Sequence, residues 1–62
     1  MIPQSPENRK IAEAAQAMVR DFGGNAGIEA HEAAAAALAG GDLKREAFFL
    51  AVTRAIDEIY GR

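Results

Sequence analysis

The sequence contains no cysteine, a single histidine and no apolar run long enough to cross a membrane. No disulfide can therefore stabilise the fold, and the lack of cysteine is typical of proteins from a reducing compartment. The opening segment, MIPQSPENRK, lacks the basic start and the apolar core of a secretory signal. We therefore expect a cytoplasmic protein with no membrane segment.

Basic residues are also scarce, because seven lysines and arginines face nine acidic residues and leave a net charge of −2. This balance makes nucleic acid an unexpected partner. No serine or cysteine nucleophile lies beside a base, since Ser5 is the only serine, and Gly40-Gly41 lacks the remaining pattern of a phosphate-binding loop. The sequence predicts a protein that is not an enzyme and has no catalytic, cofactor-binding or metal-binding residue.

The histidine, His31, has no second metal ligand at helical spacing. The residues three and four positions away are Gly27, Ile28, Ala34 and Ala35, and none of them can bind a metal ion. Its spacing from Ile28 predicts a half-buried position, with a hydrogen bond to the backbone or to a carboxylate. The alternative is a pH-responsive contact at an interface.

Glycine pairs divide the rest of the chain into three segments rich in alanine. Gly23-Gly24 and Gly40-Gly41 are helix stop signals, and Gly61 follows the last apolar position. No segment alternates with the period of a strand. The expected helices are therefore at about 6–22, 26–39 and 43–60.

A candidate capping residue precedes each helix, namely Ser5, Asn25 and Asp42. We interpret Asp42 as a cap because a carboxylate at a helix N-terminus accepts hydrogen bonds from unpaired amides. Since both connections are short, neighbouring helices must turn back on each other. The predicted fold is all-α, a small three-helix bundle or an open three-helix hairpin, in one domain over 1–62 with residues 1–5 disordered.

Periodicity predicts which face of each helix is buried. The expected inner residues of the first helix are Ile11, Ala14, Ala15, Met18, Val19 and Phe22. Those of the third helix are Phe48, Phe49, Val52, Ala55, Ile56 and Ile59. We expect these two helices to supply most of the core.

The second helix has fewer large side chains, and Ile28, Ala35 and Leu38 define its predicted inner stripe. Its other faces are mostly alanine, which has the highest helix propensity. Two interpretations remain open. The alanines either fill a helix without further role or form a surface that another helix can approach closely.

The third helix also has an apolar stripe on the side opposite Val52, formed by Leu43, Ala47 and Leu50. If the other helices pack on the Val52 side, this stripe is exposed, and exposed apolar patches usually mark contacts. A chain this short, with 15 alanines among its hydrophobic residues, is also near the lower size limit for a stable fold. We therefore predict helix–helix association, as a homodimer or with another helical protein. Alternatively, the second helix folds over both leucines and buries them.

A DNA-binding helix-turn-helix is the alternative function, with Gly40 in the turn. Against it, Glu46 occupies a position where the second helix of that motif needs an inward apolar residue. The basic residues Lys44, Arg45 and Arg54 also stand beside acidic ones. Such a helix would have little net attraction for phosphates.

Three stretches, NRKIAEAAQAMV, GGNAGIEAHEAA and AGGDLKREAFFLAVTRAIDEI, cover about residues 8–60. In them the chain resembles a group of short uncharacterised bacterial proteins, with an Ile-Ala-x-Ala-Ala start, an alanine-rich middle and a Gly-Asp turn before a final helix. The matching positions are Ile11, Ala12, Ala14, Ala15, Gly41, Asp42, Ala55 and Ile56. The resemblance implies a small all-α fold and brings no activity, ligand or role for His31.

Overall fold

The computed structural model of the protein describes residues 6–61 and contains three α-helices. They are α1 (Pro6–Phe22), α2 (Ala26–Ala39) and α3 (Leu43–Ile59), and a short 3-10 helix, Gly23–Asn25, connects the first two. The all-α prediction is confirmed, and the helix bounds agree except that α3 ends at Ile59 instead of residue 60. The predicted cap at Ser5 and the predicted disorder of residues 1–5 lie outside the described residues.

The connection between α2 and α3 is a tight turn held by backbone hydrogen bonds. The Gly41 amide donates to the Leu38 carbonyl at 3.0 Å, and the Asp42 amide donates to the Ala37 carbonyl at 2.9 Å. This pair of bonds is the Schellman motif, which requires a left-handed residue after the helix. Gly41 takes that conformation with φ of 78°, so the chain reverses without steric cost.

Asp42 caps α3 as predicted, because its Oδ1 accepts a hydrogen bond from the Arg45 amide at 3.1 Å. Asn25 precedes α2 but makes no side-chain capping bond, so that prediction is wrong. The reason is local. The 3-10 helix runs directly into α2, the Ala26 amide donates to the Gly23 carbonyl, and Asn25 lacks the extended backbone of a capping residue.

The core lies where the three helices meet, and it contains few large side chains. Val52 and Ile56 of α3 are fully buried, together with Ala15 of α1 and Ala26 and Ala30 of α2. The partly buried residues around them are Ile11, Ala14, Met18, Val19, Phe48, Phe49 and Ala55. The large core side chains therefore come from α1 and α3, but α2 supplies four of the seven buried residues, so the prediction that α1 and α3 form most of the core holds for the large side chains only. Two residues predicted to face inward, Phe22 and Ile59, are exposed at helix ends.

The inner face of α2 differs from the predicted one. Its buried residues are Ala26, Ala30, Ala34 and Ala37, whereas the predicted stripe of Ile28, Ala35 and Leu38 is exposed. Since successive residues are about 100° apart, Ile28 lies about 160° from both Ala26 and Ala30. The alanines face α3 because small side chains allow the two helices to approach closely. The surface that accepts another helix is thus occupied by a helix of the same chain.

Candidate functional site

The stripe predicted to make contacts is exposed in the folded chain. Leu43 retains 65% of its accessible surface and Leu50 retains 46%, and Ala47 between them is exposed. The alternative in which α2 covers the two leucines is therefore wrong. Because α2 and α1 both pack on the side of Val52 and Ile56, these three residues form an uncovered line, which we call the α3 ridge (Leu43, Ala47 and Leu50).

A groove between α2 and α3 runs beside the α3 ridge. Its lining includes Gly27 and His31 from α2 and Thr53 and Asp57 from α3. Leu50 precedes Asp57 by seven residues, about two helical turns, and therefore continues the α3 wall of the groove towards the connecting turn.

On the α2 wall, Leu38 follows His31 by seven residues, about two helical turns, and is therefore nearer to the turn that connects α2 to α3. Leu38 keeps 51% of its surface exposed, and Ile28 at the other end of the groove keeps 60%. The outer side of α2 therefore carries two exposed large apolar residues, Ile28 and Leu38.

Sequence reasoning missed Ile28 and Leu38 as exposed residues. The buried alanines recur at intervals of four, four and three residues, which is the spacing of one helix face. Side-chain size alone assigned the inner face to Ile28 and Leu38. Because alanine fills every position from 33 to 37, the sequence did not show which alanines belong to that face.

His31 lies on the wall of the groove and is exposed, so the prediction of a half-buried histidine is wrong. The cause is the orientation of α2, because His31 shares the outward side with Ile28. Within residues 6–61, no group of three or more histidine, aspartate or glutamate side chains is arranged to hold a metal ion.

Two charged residues stand one helical turn on either side of Leu50, Glu46 before it and Arg54 after it. Glu46 is half-buried and Arg54 is exposed. Across the part of the chain that the structure describes, the one ion pair joins Arg20 to Asp21. Neither charge beside Leu50 is therefore balanced by a contact within the chain.

Basic and acidic side chains are interspersed at the start of α3. Lys44 and Arg45 are flanked by Asp42 and Glu46, and the Arg45 guanidinium lies over the Phe49 ring at 5.3 Å from its centroid. With each positive charge beside a negative one, the net field at this helix end is small. No feature of this end favours the helix-turn-helix alternative.

None of the helices in the described part of the chain is both long and apolar enough to cross a membrane. Comparison with protein-family models, with curated proteins and with solved structures gives no match for this chain.

Proposed function

We propose that this protein acts through helix–helix contacts and that its principal partner is a second copy of itself, bound through the α3 ridge. The observation behind this proposal is the exposure of Leu43 and Leu50 on α3, together with the exposure of Ile28 and Leu38 on α2. Leu43, Ala47 and Leu50 are neighbours on one helix face, and an exposed apolar patch on a small protein usually marks a contact. Isolated apolar residues scattered over the surface would not support it.

The small core supports the same proposal. Of the seven buried apolar residues, five are alanines, and only Val52 and Ile56 are large and fully buried. Chains near this length bury little apolar surface and are marginally stable alone, and association is one common remedy. A second copy covering the α3 ridge would add the missing burial.

The remaining parts of the proposal rest on the sequence. We infer a role without catalysis, in the cytoplasm, and a relation to the short bacterial helical proteins that residues 8–60 resemble. The scarcity of nucleophiles supports a role without catalysis, and the lack of cysteine supports a cytoplasmic location.

Sedimentation equilibrium over a wide concentration range tests self-association. We expect the wild-type protein to dimerise and the Leu43→Glu/Leu50→Glu variant to remain monomeric, since burying four carboxylates per dimer without partners is costly. The matched control is Ala36→Glu, because Ala36 is exposed and lies about 160° from Leu38 around α2. This control should dimerise like the wild type.

Circular dichroism of each variant shows whether it is folded, and Leu43→Gln/Leu50→Gln is the milder replacement if the glutamate variant unfolds. A wild-type protein that is still monomeric at about 1 mM would overturn the proposal, because that concentration detects association as weak as about −4 kcal/mol. Dimerisation that both leucine variants retain would instead place the interface elsewhere.

A further inference from the structure

We infer that the two copies pair through antiparallel α3 helices around a two-fold axis at Leu50, so that Glu46 of each copy meets Arg54 of the partner subunit. This inference rests on the proposed self-association and specifies its geometry. It follows from the position of the two unbalanced charges relative to the exposed leucines.

Glu46, Leu50 and Arg54 are spaced at four-residue intervals and therefore share one side of α3. A two-fold axis that passes through Leu50 at right angles to α3 makes the two α3 helices antiparallel. Each residue of one copy then lies opposite the residue of the other copy that is equally far from Leu50 in the other direction along the sequence. Glu46 and Arg54 are both four residues, or about 6 Å, from the axis. The antiparallel pair therefore brings opposite charges together twice, once on each side of the two leucines.

A parallel arrangement has the opposite consequence. It would place Glu46 beside the partner's Glu46 and Arg54 beside the partner's Arg54, and like charges at an interface repel. The same apolar surface would be buried in both arrangements. The charges therefore select the antiparallel one.

The groove between α2 and α3 also fits this arrangement. Leu43 is seven residues before Leu50, so the axis places it at the level of residue 57 of the other copy. At that level the groove is lined by Gly27, Ile28 and Ile56 as well as Asp57. Because Gly27 has no side chain, a leucine of the other copy has room to pack there against Ile28, which is exposed.

Charge exchange tests the pairing. Glu46→Arg and Arg54→Glu should each weaken dimerisation by about tenfold, because each creates two like-charge contacts per dimer. The double variant, Glu46→Arg/Arg54→Glu, should restore the wild-type dissociation constant to within about threefold. Glu13→Arg is the matched control for the change in net charge, since Glu13 is exposed on α1, and it should leave dimerisation unchanged.

Disulfide trapping tests the position of the axis, and the absence of native cysteine makes each introduced thiol unique. Leu50→Cys should form a covalent dimer under a glutathione redox buffer, because both copies of this residue lie at the axis. Ala47→Cys and Arg54→Cys should not, since their copies would be about 9 and 12 Å apart along the helices. Disulfides require Cα atoms within about 7 Å.

The outcomes separate this inference from the function on which it rests. Cross-linking at all three positions, or a double charge variant as weak as the single ones, would overturn the antiparallel geometry while leaving self-association intact. A wild-type protein that never dimerises would overturn both.

Discussion

Asp42 illustrates how much a single residue contributes to this fold. Its backbone amide closes the hydrogen-bonded turn at the end of α2, and its carboxylate accepts a hydrogen bond from the Arg45 amide at the start of α3. The same residue therefore ends one helix and begins the next. Only a short polar side chain that accepts hydrogen bonds serves the second role.

Replacing Asp42 by alanine should lower the free energy of unfolding by about 0.5–2 kcal/mol, since the Arg45 amide then loses its partner. Asp42→Asn should cost much less, because asparagine caps helices about as well as aspartate. Urea unfolding followed by circular dichroism measures both. Equal destabilisation by the two substitutions would show that the carboxylate acts through its charge and not as a hydrogen-bond acceptor.

The predictions for the single residues Asn25 and His31 were wrong because the conformation or burial of each residue depends on the structure around it. A cap at Asn25 was expected from residue type, but the 3-10 helix that ends at Asn25 sets its backbone and already uses the first amide of α2. The burial of His31 depended on the orientation of a whole helix. Asp42 was predictable because its role needs only residues 37–45.

At the scale of elements, the α2 helix is the feature that most shapes the molecule. Its buried residues are all alanines, and two of them, Ala26 and Ala30, belong to the same core cluster as Val52 and Ile56 of α3. Small side chains permit a close approach of the two helices, so α3 can bury its larger residues against the α2 backbone. The same orientation turns Ile28 and Leu38 outward.

Enlarging a buried alanine should therefore separate the helices. Ala30→Leu is expected to destabilise the fold by about 1–3 kcal/mol, because Ala30 is fully buried and has no room for three more carbons. Ala36→Leu, the matched substitution at an exposed position of the same helix, should change stability by less than about 0.5 kcal/mol. Thermal unfolding at one fixed concentration compares them. Similar stabilities for the two variants would mean that α2 does not pack through its alanines.

At the scale of the whole molecule, the small core and the exposed apolar surface result from the same arrangement of the helices. Five of the seven buried residues are alanines, whereas four large aliphatic residues are exposed, Ile28, Leu38, Leu43 and Leu50. A monomer with this distribution is expected to be weakly stable. Association through the α3 ridge would bury part of the exposed set and connect stability to concentration.

This connection predicts that the thermal midpoint of the wild-type protein depends on its concentration. Raising the concentration from about 5 to about 500 µM should raise the midpoint by several degrees, since the folded dimer is favoured by mass action and each kcal/mol shifts a small domain by about 4–8 °C. The Leu43→Glu/Leu50→Glu variant should show no such dependence. A constant wild-type midpoint over this range would contradict a coupling between folding and dimerisation.

The number of helices, their bounds to within one residue and the turn at Asp42 follow from the sequence, because caps, glycines and helix propensity act over a few neighbouring residues. The position of Leu43 and Leu50 opposite Val52 follows from it too, since that relation lies within one helix. The inward orientation of four alanines of α2 instead depends on the packing of the helices. That orientation depends on how closely two helices can approach, which is a property of their facing surfaces together and cannot be read from the periodicity of either one.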